Sequence, residues 1–579
     1  MRATIKDTET KSYIKELISQ ALAKCQIEYN GEINPEHPSD NKFGDYSTNA
    51  AMAAAKLTKQ NPVELANKIK EELQKLAGVD DIIQKIEVAG AGFINFYLTE
   101  NYLVKKAESY NYEAETRNRL ADFGGGRTMV IDYSAPNIAK PFGIGHLRST
   151  NIGQAIYNIY KILGWRTIGD NHLGDWGTQF GKLIVAIKRW GEKPVEEMTI
   201  DDLEKLYVKF HQEAENEPSL TDEARETFAK LENGDTETKT IWQKCIDLSI
   251  KEFDRVYEIL GVHIDHSYGE SFYEKMLPQV IEDFKNKNLT KDSEGALIVE
   301  YDNMPPAMLL KSNKTTTYFT RDMATIKFRK DTWNPDLIVY EVGNDHILHF
   351  NQVFRAAEMM DWQPKEGFVH VAHGMIRWAN GKFSTREGKT IHMAEVLQKA
   401  EEEAKKVAEN SQVGKEMSAT EREEMIKAVA IGAVKFTDLS QDPKKDIIFD
   451  WERIMSLEGD SGPYLQYTYA RCLSVLNKSD IKEQKNTDQI PKTMKPEELQ
   501  LLKEFYRFDE KIAEAADRFN PSIIAEFLLS VARKYNEFYA KCKIIGDNDE
   551  VFRIFLTRTT ASILKSGMEI LGINTVEKM

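Results

Sequence analysis

The chain has 579 residues, of which 41% are hydrophobic and 29% charged, and its formal net charge is −15. This length exceeds what one hydrophobic core holds, so we expect two to four domains. No uncharged apolar run approaches the roughly 18 residues that cross a bilayer. The N-terminus mixes both charges without the apolar stretch of a secretion signal. We therefore expect a multidomain, cytoplasmic protein with no membrane span.

The four cysteines lie far apart and form no C-x-x-C pair. This spacing argues against disulfide bonds and a structural zinc site, so we expect buried thiols and no protein-held metal. The net charge argues against a nucleic-acid partner, because polyanion affinity comes mainly from Lys and Arg. However, residues 461–579 contain 18 Lys and Arg against 17 Asp and Glu, so residues 1–460 carry nearly all the negative charge. The C-terminal region is thus the less repulsive surface for a polyanion.

Residues 1–122 are predicted to form a small α+β domain. "YIKELISQALAKC" has helical periodicity, and "KIEVAGAGFINFYL" alternates like two strands turned at glycines. The three glycines of "FGGGR" then indicate a linker.

A βαβ unit follows this linker. "TMVIDYS" predicts a strand, "HLRSTNIGQAIYNIYKILG" a helix, and "WRTIGDN" a second strand. The unit implies a parallel sheet with its ligand at the carboxyl ends of the strands. We expect "ALIVEY", "DLIVYEVG" and "GFVHVAHGMI" to complete that sheet.

The predicted fold is therefore multidomain α/β. A Rossmann-like parallel-sheet domain at 123–450, with a helical insertion at about 195–290, lies between the N-terminal α+β domain and a C-terminal all-α bundle at 451–579.

The loop "SAPNIAKPFGIGHLRST", residues 134–150, has the features of a phosphate site. A helix beginning near His146 would direct free N–H groups and its positive dipole end into the loop. Gly143 and Gly145 would let the backbone approach a phosphate, and Lys140 would add a positive charge. A histidine at a helix start is also an ordinary cap or core residue, so this loop alone does not establish a site.

A second basic loop is "GKFSTREGKT", residues 381–390. Lys382 and Arg386, with the hydroxyls of Ser384 and Thr385, could close on a triphosphate and stabilise charge on departing pyrophosphate. The alternative is a solvated basic turn. Because the two loops flank opposite ends of the predicted sheet, one nucleotide could contact both.

"YFTRDMA" places Tyr318 and Asp322 on one face of a helix start. Asp132, at the end of the first strand of the sheet, adds a second acid. Fixed carboxylates bind a guanidinium well because it offers paired planar donors. The alternative is that Asp322 caps a helix or pairs with a lysine.

Several motifs together resemble the arginyl-tRNA synthetases, which are class I enzymes, and occur in that family's order. They are "SAPNIAKPFGIGHLRST", "GDNHLGDWGTQFGKLI", "YFTRDMA", "GKFSTREGK", "GDSGPYLQYTYAR" and "GMEILGINTVEKM". "FGDYSTNAAMAAAK" and "VAGAGFINFYL" are similar to the family's added N-terminal domain. The resemblance covers the whole chain.

This resemblance implies ATP-dependent ligation of L-arginine to tRNA(Arg) through an arginyl-adenylate, with Mg²⁺, and release of pyrophosphate and AMP. Family members generally need bound tRNA before the first step. We expect the chain to act as a monomer.

The family's motifs also imply roles for individual residues. The implied catalytic residues are Lys140, His146, Lys382 and Arg386. The implied ATP contacts are Gly143, Gly145, His146, Lys382, Ser384 and Thr385. The implied arginine contacts are Asp132, Asn137, Tyr318, Asp322 and His346. The implied tRNA contacts are Asn49 at the elbow, and Tyr464, Tyr467 and Met579 at the anticodon.

Three positions depart from the family's pattern. Gly143 stands where the first signature usually has histidine, the second signature has "KFSTR" for Lys-Met-Ser-Lys-Ser, and His346 replaces a common glutamine. Losing one transition-state donor can cost about 3 kcal/mol. Lys140, Arg386 or Lys389 could compensate, since members with a degenerate second signature carry a lysine at the place of Lys140.

These departures leave two alternatives open. One is a catalytically inactive, synthetase-like scaffold that binds tRNA. The other is a class I synthetase for another amino acid such as cysteine, although that family would bring a cysteine cluster that this chain lacks.

Overall fold

The computed structural model describes residues 8–76, 78–111, 119–378, 392–481 and 490–579. The N-terminal domain has a three-stranded antiparallel sheet in the order β1-β3-β2. Its strands are β1 (Tyr46–Thr48), β2 (Ile83–Ala89) and β3 (Phe93–Leu98). Its helices are Glu9–Lys24, Ala50–Thr58, Pro62–Leu73, Val79–Ile82 and Glu100–Glu108. The predicted hairpin is confirmed, because Ala89 pairs with Phe93 across the glycine turn.

The central domain is built on a five-stranded parallel sheet in the order β11-β10-β4-β5-β6. These strands are β4 (Thr128–Asp132), β5 (Arg166–Leu173), β6 (His266–Gly269), β10 (Leu337–Gly343) and β11 (Phe368–His373). The strand order reverses between β4 and β10, so the crevice at their carboxyl ends is the expected ligand site of an open parallel sheet. A ligand site is therefore expected at the loops that follow Asp132 and Gly343.

One predicted strand of this sheet was assigned wrongly. "ALIVEY" forms β8 (Ala296–Val299) of a separate antiparallel sheet with β7 (Lys291–Ser293) and β9 (Ala307–Leu310). Glu294 and Gly295, both at positive φ, make a two-residue hairpin turn that joins β7 to β8. β8 is buried throughout and so has the apolar composition of a parallel core strand, while the polar "HSYG" of β6 occupies the sheet edge.

Helices cover the parallel sheet and form the C-terminal bundle. The helices from the first crossover to the insertion are Ile144–Ile162, Thr178–Trp190, Ile200–Asn216, Ser219–Glu232, Thr236–Leu260, Glu270–Tyr273 and Leu277–Asn286. Those that follow are Tyr318–Trp333, Ile347–Met359, Met393–Asn410, Gln412–Glu416, Ala419–Leu439 and Trp451–Ile454. The C-terminal helices are Gly462–Lys478, Pro496–Phe505, Phe508–Asp517, Ser522–Lys541 and Glu550–Ile570. Two short parallel strands, β12 (Ile376–Trp378) and β13 (Ile447–Phe449), precede the bundle.

All four cysteines are free, and three of them are buried, as expected from their spacing. Among the described helices, none combines the length and apolarity needed to span a membrane.

A buried guanidinium joins helix Tyr318–Trp333 to two strands of the sheet. Arg329 is fully buried; its Nε donates to Asp170 Oδ2 at 2.7 Å and its Nη2 to Asp132 Oδ2 at 2.8 Å. Asp132 ends β4 and Asp170 lies in β5. Because Asp322 precedes Arg329 by seven residues, both side chains lie on one helix face. The buried pairs therefore set the rotation of the helix that carries Asp322.

We expect Arg329→Met to lower the free energy of unfolding by about 3–5 kcal/mol, because it leaves two buried carboxylates without their cation. Urea denaturation followed by circular dichroism measures the effect. Lys330→Met is the matched control, since this partly exposed neighbour makes no buried ion pair in the described part of the chain and should change stability by less than about 0.5 kcal/mol. Equal stability of the two variants would contradict the structural role of Arg329.

Candidate functional site

The loop after β4 is held in an unusual backbone conformation. Ser134, Ala135 and Ala139 all have positive φ, at 75°, 41° and 60°. Such residues cost on the order of 1–3 kcal/mol each and persist only where their surroundings hold them. Side-chain oxygens accept hydrogen bonds from these three N–H groups at 2.9 Å: Ser149 Oγ, Asn171 Oδ1 and Ser249 Oγ, respectively.

The acceptor Ser249 belongs to helix Thr236–Leu260 of the insertion. From the same helix, Tyr257 approaches the Ser134 hydroxyl, with 2.8 Å between their oxygens. The sequence predicted a helical insertion here but no role for it in this loop. The helix also fixes the shape of the loop, and the chain pattern held no signal for this because the contacts span more than 100 residues.

The loop leads into the N-terminus of helix Ile144–Ile162, where Gly143 is the N-cap. The Gly143 N–H donates to His146 Nδ1 at 3.3 Å, so the neutral ring carries its proton on Nε2. Burial, with a smaller contribution from the charge of Lys140, lowers the pKa of His146 to about 4. A Cβ added at Gly145 would meet no atom within 4 Å, so this side of the helix start is open to a ligand.

Lys140 and Asn137 are exposed on the same loop. Lys140 Nζ lies 5.9 Å from the ring centre of Tyr207, which belongs to the insertion. Asn137 packs against Gly174 of the "NHLGDWG" motif, where an added Cβ would lie 2.5 Å from Asn137 Oδ1. Glycine at 174 therefore leaves room for the amide of Asn137.

The predicted second signature residues Lys382, Ser384, Thr385 and Arg386 lie outside the described residues. The chain that follows them is described and returns to the first loop. The Met393 N–H donates to Phe142 O at 2.8 Å, and His392 forms a backbone bridge with Gly143. His392 and Met393, which follow the second predicted loop in the chain, therefore lie next to the first signature.

Asp322 is partly buried and contacts His349, a residue that the sequence analysis missed. The distance from Asp322 Oδ2 to His349 Nε2 is 2.5 Å. Burial disfavours the charged form of His349, but the hydrogen bond and charge of Asp322 outweigh it and raise the pKa. His346, which was predicted as an arginine contact, is half-exposed. Its ring centre lies 6.5 Å from that of His349. A contact between residues 322 and 349 could not be inferred without knowing how their helices pack.

Glu270 is a second acid that the sequence analysis missed. It begins the short helix after β6 and is 9% exposed. Burial raises its pKa to about 7; Arg321 opposes this shift, whereas the charges of Asp322, Asp175 and Glu274 add to it. The charge of Asp322 thus acts on Glu270, and several acids contribute at this place, as expected of a site for a cationic ligand.

Asp175, from "GDWG", supports this acidic site. Its Oδ1 accepts a hydrogen bond from the Ser271 N–H at 2.8 Å and its Oδ2 one from the Ser271 hydroxyl at 2.6 Å. An added Cβ at Gly269 would lie 2.0 Å from this carboxylate. Glycine there lets Asp175 hold the helix that begins at Glu270.

Asp132 differs from the sequence expectation. Its carboxylate is 5% exposed and accepts from Arg329, so it does not present a free charge to a cationic ligand. The cause is tertiary, because Arg329 lies almost 200 residues further along the chain. Tyr318, in contrast, is 67% exposed at the start of its helix, on the face of Asp322.

The C-terminal bundle contains a cavity of about 760 Å³ whose wall includes Tyr467 and the terminal Met579. Arg471 lies between two rings there, with its guanidinium carbon 4.7 Å from the centre of Tyr467 and 5.0 Å from that of Tyr539. Tyr464 is one turn before Tyr467, outside this wall, and its hydroxyl accepts from Asn536 at 3.0 Å. Arg471 and Tyr539 were not predicted; Arg471 has the helical spacing from Tyr467 that could have indicated it.

The N-terminal domain has a groove of about 680 Å³. Asn49 lies in its wall with Phe43, Phe93 and His37. Phe43 and Phe93 are about 40% exposed, and Asn49 makes no side-chain cap to the helix that follows it. Exposed rings beside an amide suit stacking and hydrogen bonding of an unpaired base.

Comparison with known families matches three successive parts of the chain. Residues 12–98 match the arginyl tRNA synthetase N-terminal domain, residues 112–451 the catalytic domain of class I (R) tRNA synthetases, and residues 465–579 the DALR anticodon-binding domain. The second match alone covers more than half of the chain.

Similar proteins extend over nearly the full length. The arginine–tRNA ligase of Clostridium beijerinckii is 39% identical over 98% of this chain and 100% of its own. That of Halothermothrix orenii is 39% identical over 98% and 99%. The crystal structure of arginyl-tRNA synthetase from Plasmodium falciparum superposes with a TM-score of 0.86 at 25% identity, over all of both chains. The arginyl-tRNA synthetase of Thermus thermophilus, at 22% identity and a TM-score of 0.83, shares the fold. With its acidic pocket beside a helix N-terminus at the switch point of the sheet, the chain belongs to the arginyl-tRNA synthetases of class I.

Proposed function

We propose that the chain ligates L-arginine to tRNA(Arg) at the expense of ATP. The observation that carries this proposal is the group of acids at Glu270, Asp322 among them. Glu270 follows β6 at the carboxyl edge of the parallel sheet, the edge at which helix Ile144–Ile162 also begins after β4. A guanidinium would relieve the repulsion between these carboxylates and offers several donors to them. Asn137, Tyr318 and His346 are the further side chains that we propose for arginine.

The role that we propose for Asp132 differs from direct contact with arginine. Its pairing with Arg329 supports a positioning role, in which it holds the helix that presents Asp322. The structure thus leaves Asp322 and Glu270 as the proposed acids of the pocket.

ATP would bind at the start of helix Ile144–Ile162. The neutral His146 can donate its Nε2–H to a phosphoryl oxygen, and the helix N-terminus and Lys140 favour negative charge there. In the described ranges no three His, Cys, Asp or Glu side chains are grouped to hold a metal. Mg²⁺ would therefore enter bound to the phosphates of ATP, as is usual for this ion.

In the proposed reaction the arginine carboxylate attacks the α-phosphorus of ATP and pyrophosphate leaves. A terminal ribose hydroxyl of the tRNA then attacks the arginyl carbonyl, and AMP leaves. We propose Lys382, Ser384, Thr385 and Arg386 as further ATP contacts. For tRNA, we propose the groove around Asn49 for the elbow, and the cavity of Tyr467 and Met579, with adjacent Tyr464, for the anticodon.

Both alternatives lose support from the geometry. An inactive scaffold would gain nothing from keeping a buried Glu270 with its pKa near 7 beside Asp322. A synthetase for a neutral amino acid would not need two neighbouring acids. The proposed substrate is therefore a cationic amino acid with a guanidinium.

The test of this function is exchange of labelled pyrophosphate into ATP by the purified protein. We expect exchange that requires both arginine and tRNA(Arg), and none with lysine or cysteine. Asp322→Asn should raise the KM for arginine by at least about 100-fold, since it removes one member of a partly buried charge pair, and leave the KM for ATP nearly unchanged. Asp331→Asn, at an exposed position of the same helix, is the control. Absence of arginine-dependent exchange with any tRNA(Arg) would refute the proposal.

Arginine affinity should depend on pH through Glu270. Its pKa is raised to about 7, so it is charged above that pH and neutral below it. We expect the KM for arginine to rise on acidification from pH 8 to pH 6, approaching about tenfold per pH unit below the pKa. Glu270→Gln should have a high KM that is nearly flat over this range, whereas the surface variant Glu282→Gln should keep the wild-type profile. An unchanged profile in Glu270→Gln would assign the titration to another group.

The departure at Gly143 can be tested against Lys140. If Lys140 and the helix start carry the phosphate charge, Lys140→Ala should lower the exchange rate by about 100-fold, since losing one transition-state donor costs about 3 kcal/mol. Gly143→His should change that rate by less than about threefold, because the N-cap N–H already orients His146. A large gain from Gly143→His would instead show that the missing histidine limits activity.

A further inference from the structure

Glu510 of the C-terminal bundle is bound by three side chains of the N-terminal domain. Its carboxylate accepts from Thr8 Oγ1 at 3.1 Å and from the Tyr46 hydroxyl, and it lies 2.7 Å from His37 Nε2. Burial would raise its pKa, but the hydrogen bonds and charge of these partners, His37 first, outweigh burial and lower it. The carboxylate is therefore ionised and held entirely by the other domain's donors.

Neighbouring contacts across this interface are also charged. Asp509 receives two hydrogen bonds from Arg119, Nε at 2.7 Å and Nη2 at 3.1 Å. In the opposite sense, Lys503 of the bundle lies 3.0 Å from Asp45 of the N-terminal domain. A shift of the interface would leave buried charges unpaired, and this costs far more than the pairs gain. Such contacts specify one orientation of the two domains.

His37 is part of both the N-terminal groove and the interface with the C-terminal bundle. Its ring lines the groove that contains Asn49, and its Nε2 contacts Glu510. Its Nδ1 lies 2.6 Å from the carbonyl oxygen of Asp45, and its ring centre 4.6 Å from that of Tyr46. One wall of the groove is therefore fixed from both sides, by its own domain and by the bundle.

The helix of Glu510 also leads to the cavity of the C-terminal bundle. Helix Phe508–Asp517 packs on helix Ser522–Lys541, with the Phe508 and Phe527 rings stacked at 5.8 Å. The second helix carries Tyr539 in the wall of that cavity. A short series of packed residues thus joins the two proposed RNA-binding surfaces.

We infer that Glu510, acting through His37, is a positioning residue that sets the N-terminal groove relative to the anticodon cavity, so that one tRNA fills both. The inference rests on the proposed function and adds a specificity device to it. In this role Glu510 fixes the position of one proposed RNA-binding surface relative to the other, without contacting the RNA itself.

The experiment measures the KM for tRNA in arginylation by Glu510→Gln, which keeps the size of the side chain and removes its charge. Two substrates are compared: the intact tRNA(Arg) transcript, and the same transcript with a shortened D-loop, which removes the elbow contact. We expect about a tenfold increase in KM with the intact transcript and less than twofold with the shortened one, because the second has already lost the contact that Glu510 positions. Arginine KM should be unchanged.

Two further variants are compared with Glu510→Gln. Glu514→Gln is the matched control, since Glu514 lies one turn later and its ion pairs within the described part of the chain are with Lys511 and Arg518 of its own segment. Asn49→Ala, in the groove, should show the same dependence on the D-loop as Glu510→Gln. Equal increases with both transcripts, no increase with either, or a parallel loss of arginine affinity would overturn the inference, because each lacks the specific link to the elbow.

This outcome is separable from failure of the function itself. If the wild-type protein does not arginylate the intact transcript, the proposed function fails. If it does and Glu510→Gln behaves like Glu514→Gln, only the positioning role fails.

Discussion

The site depends on one buried charge cluster, in which Arg329 joins Asp132 and Asp170. A planar guanidinium suits this buried place, because its fixed donors reach two strand-borne carboxylates at once. Because Arg329 is on the same helix face as Asp322, its pairing with the buried acids also orients the partly buried Asp322. Packing and function are thus coupled through the rotation of a single helix. A change in the cluster would alter the orientation of Asp322 in the amino-acid pocket.

The acids of the pocket lower the stability of the folded state. Burial raises the pKa of Glu270 to about 7, and the charge of Asp322 adds to this shift although Arg321 opposes it. Isolated, this arrangement would relax by protonation or by moving apart. The fold prevents movement by fixing Glu270 on a helix that Asp175 caps and by fixing Asp322 through Arg329. A cationic ligand would relieve the repulsion that remains. This is a physical reason for selecting arginine over a neutral amino acid.

Distant segments shape both the catalytic loop and the proposed RNA surfaces. The strained loop after β4 keeps its conformation because Ser249, from the insertion, accepts from its backbone. The groove of the N-terminal domain is held by Glu510 from the other end of the chain. In both cases a polar side chain satisfies a group that is remote in the chain, within the central domain for Ser249 and between two domains for Glu510. The domains therefore cooperate through directional contacts as well as apolar packing, so their relative orientation is specific.

Local pattern was enough to predict the βαβ unit, the helix start at His146 and the all-α bundle, because these depend on periodicity and on residues near in sequence. Even there, the apolar β8 was misassigned, since composition does not reveal which strand it pairs with. Tertiary structure alone decided that Asp132 is neutralised by Arg329, that His349 contacts Asp322, and that Glu270 lies near Asp322. Residue type determines whether a side chain can carry a charge, but its partner, burial and pKa arise only when remote segments are brought together.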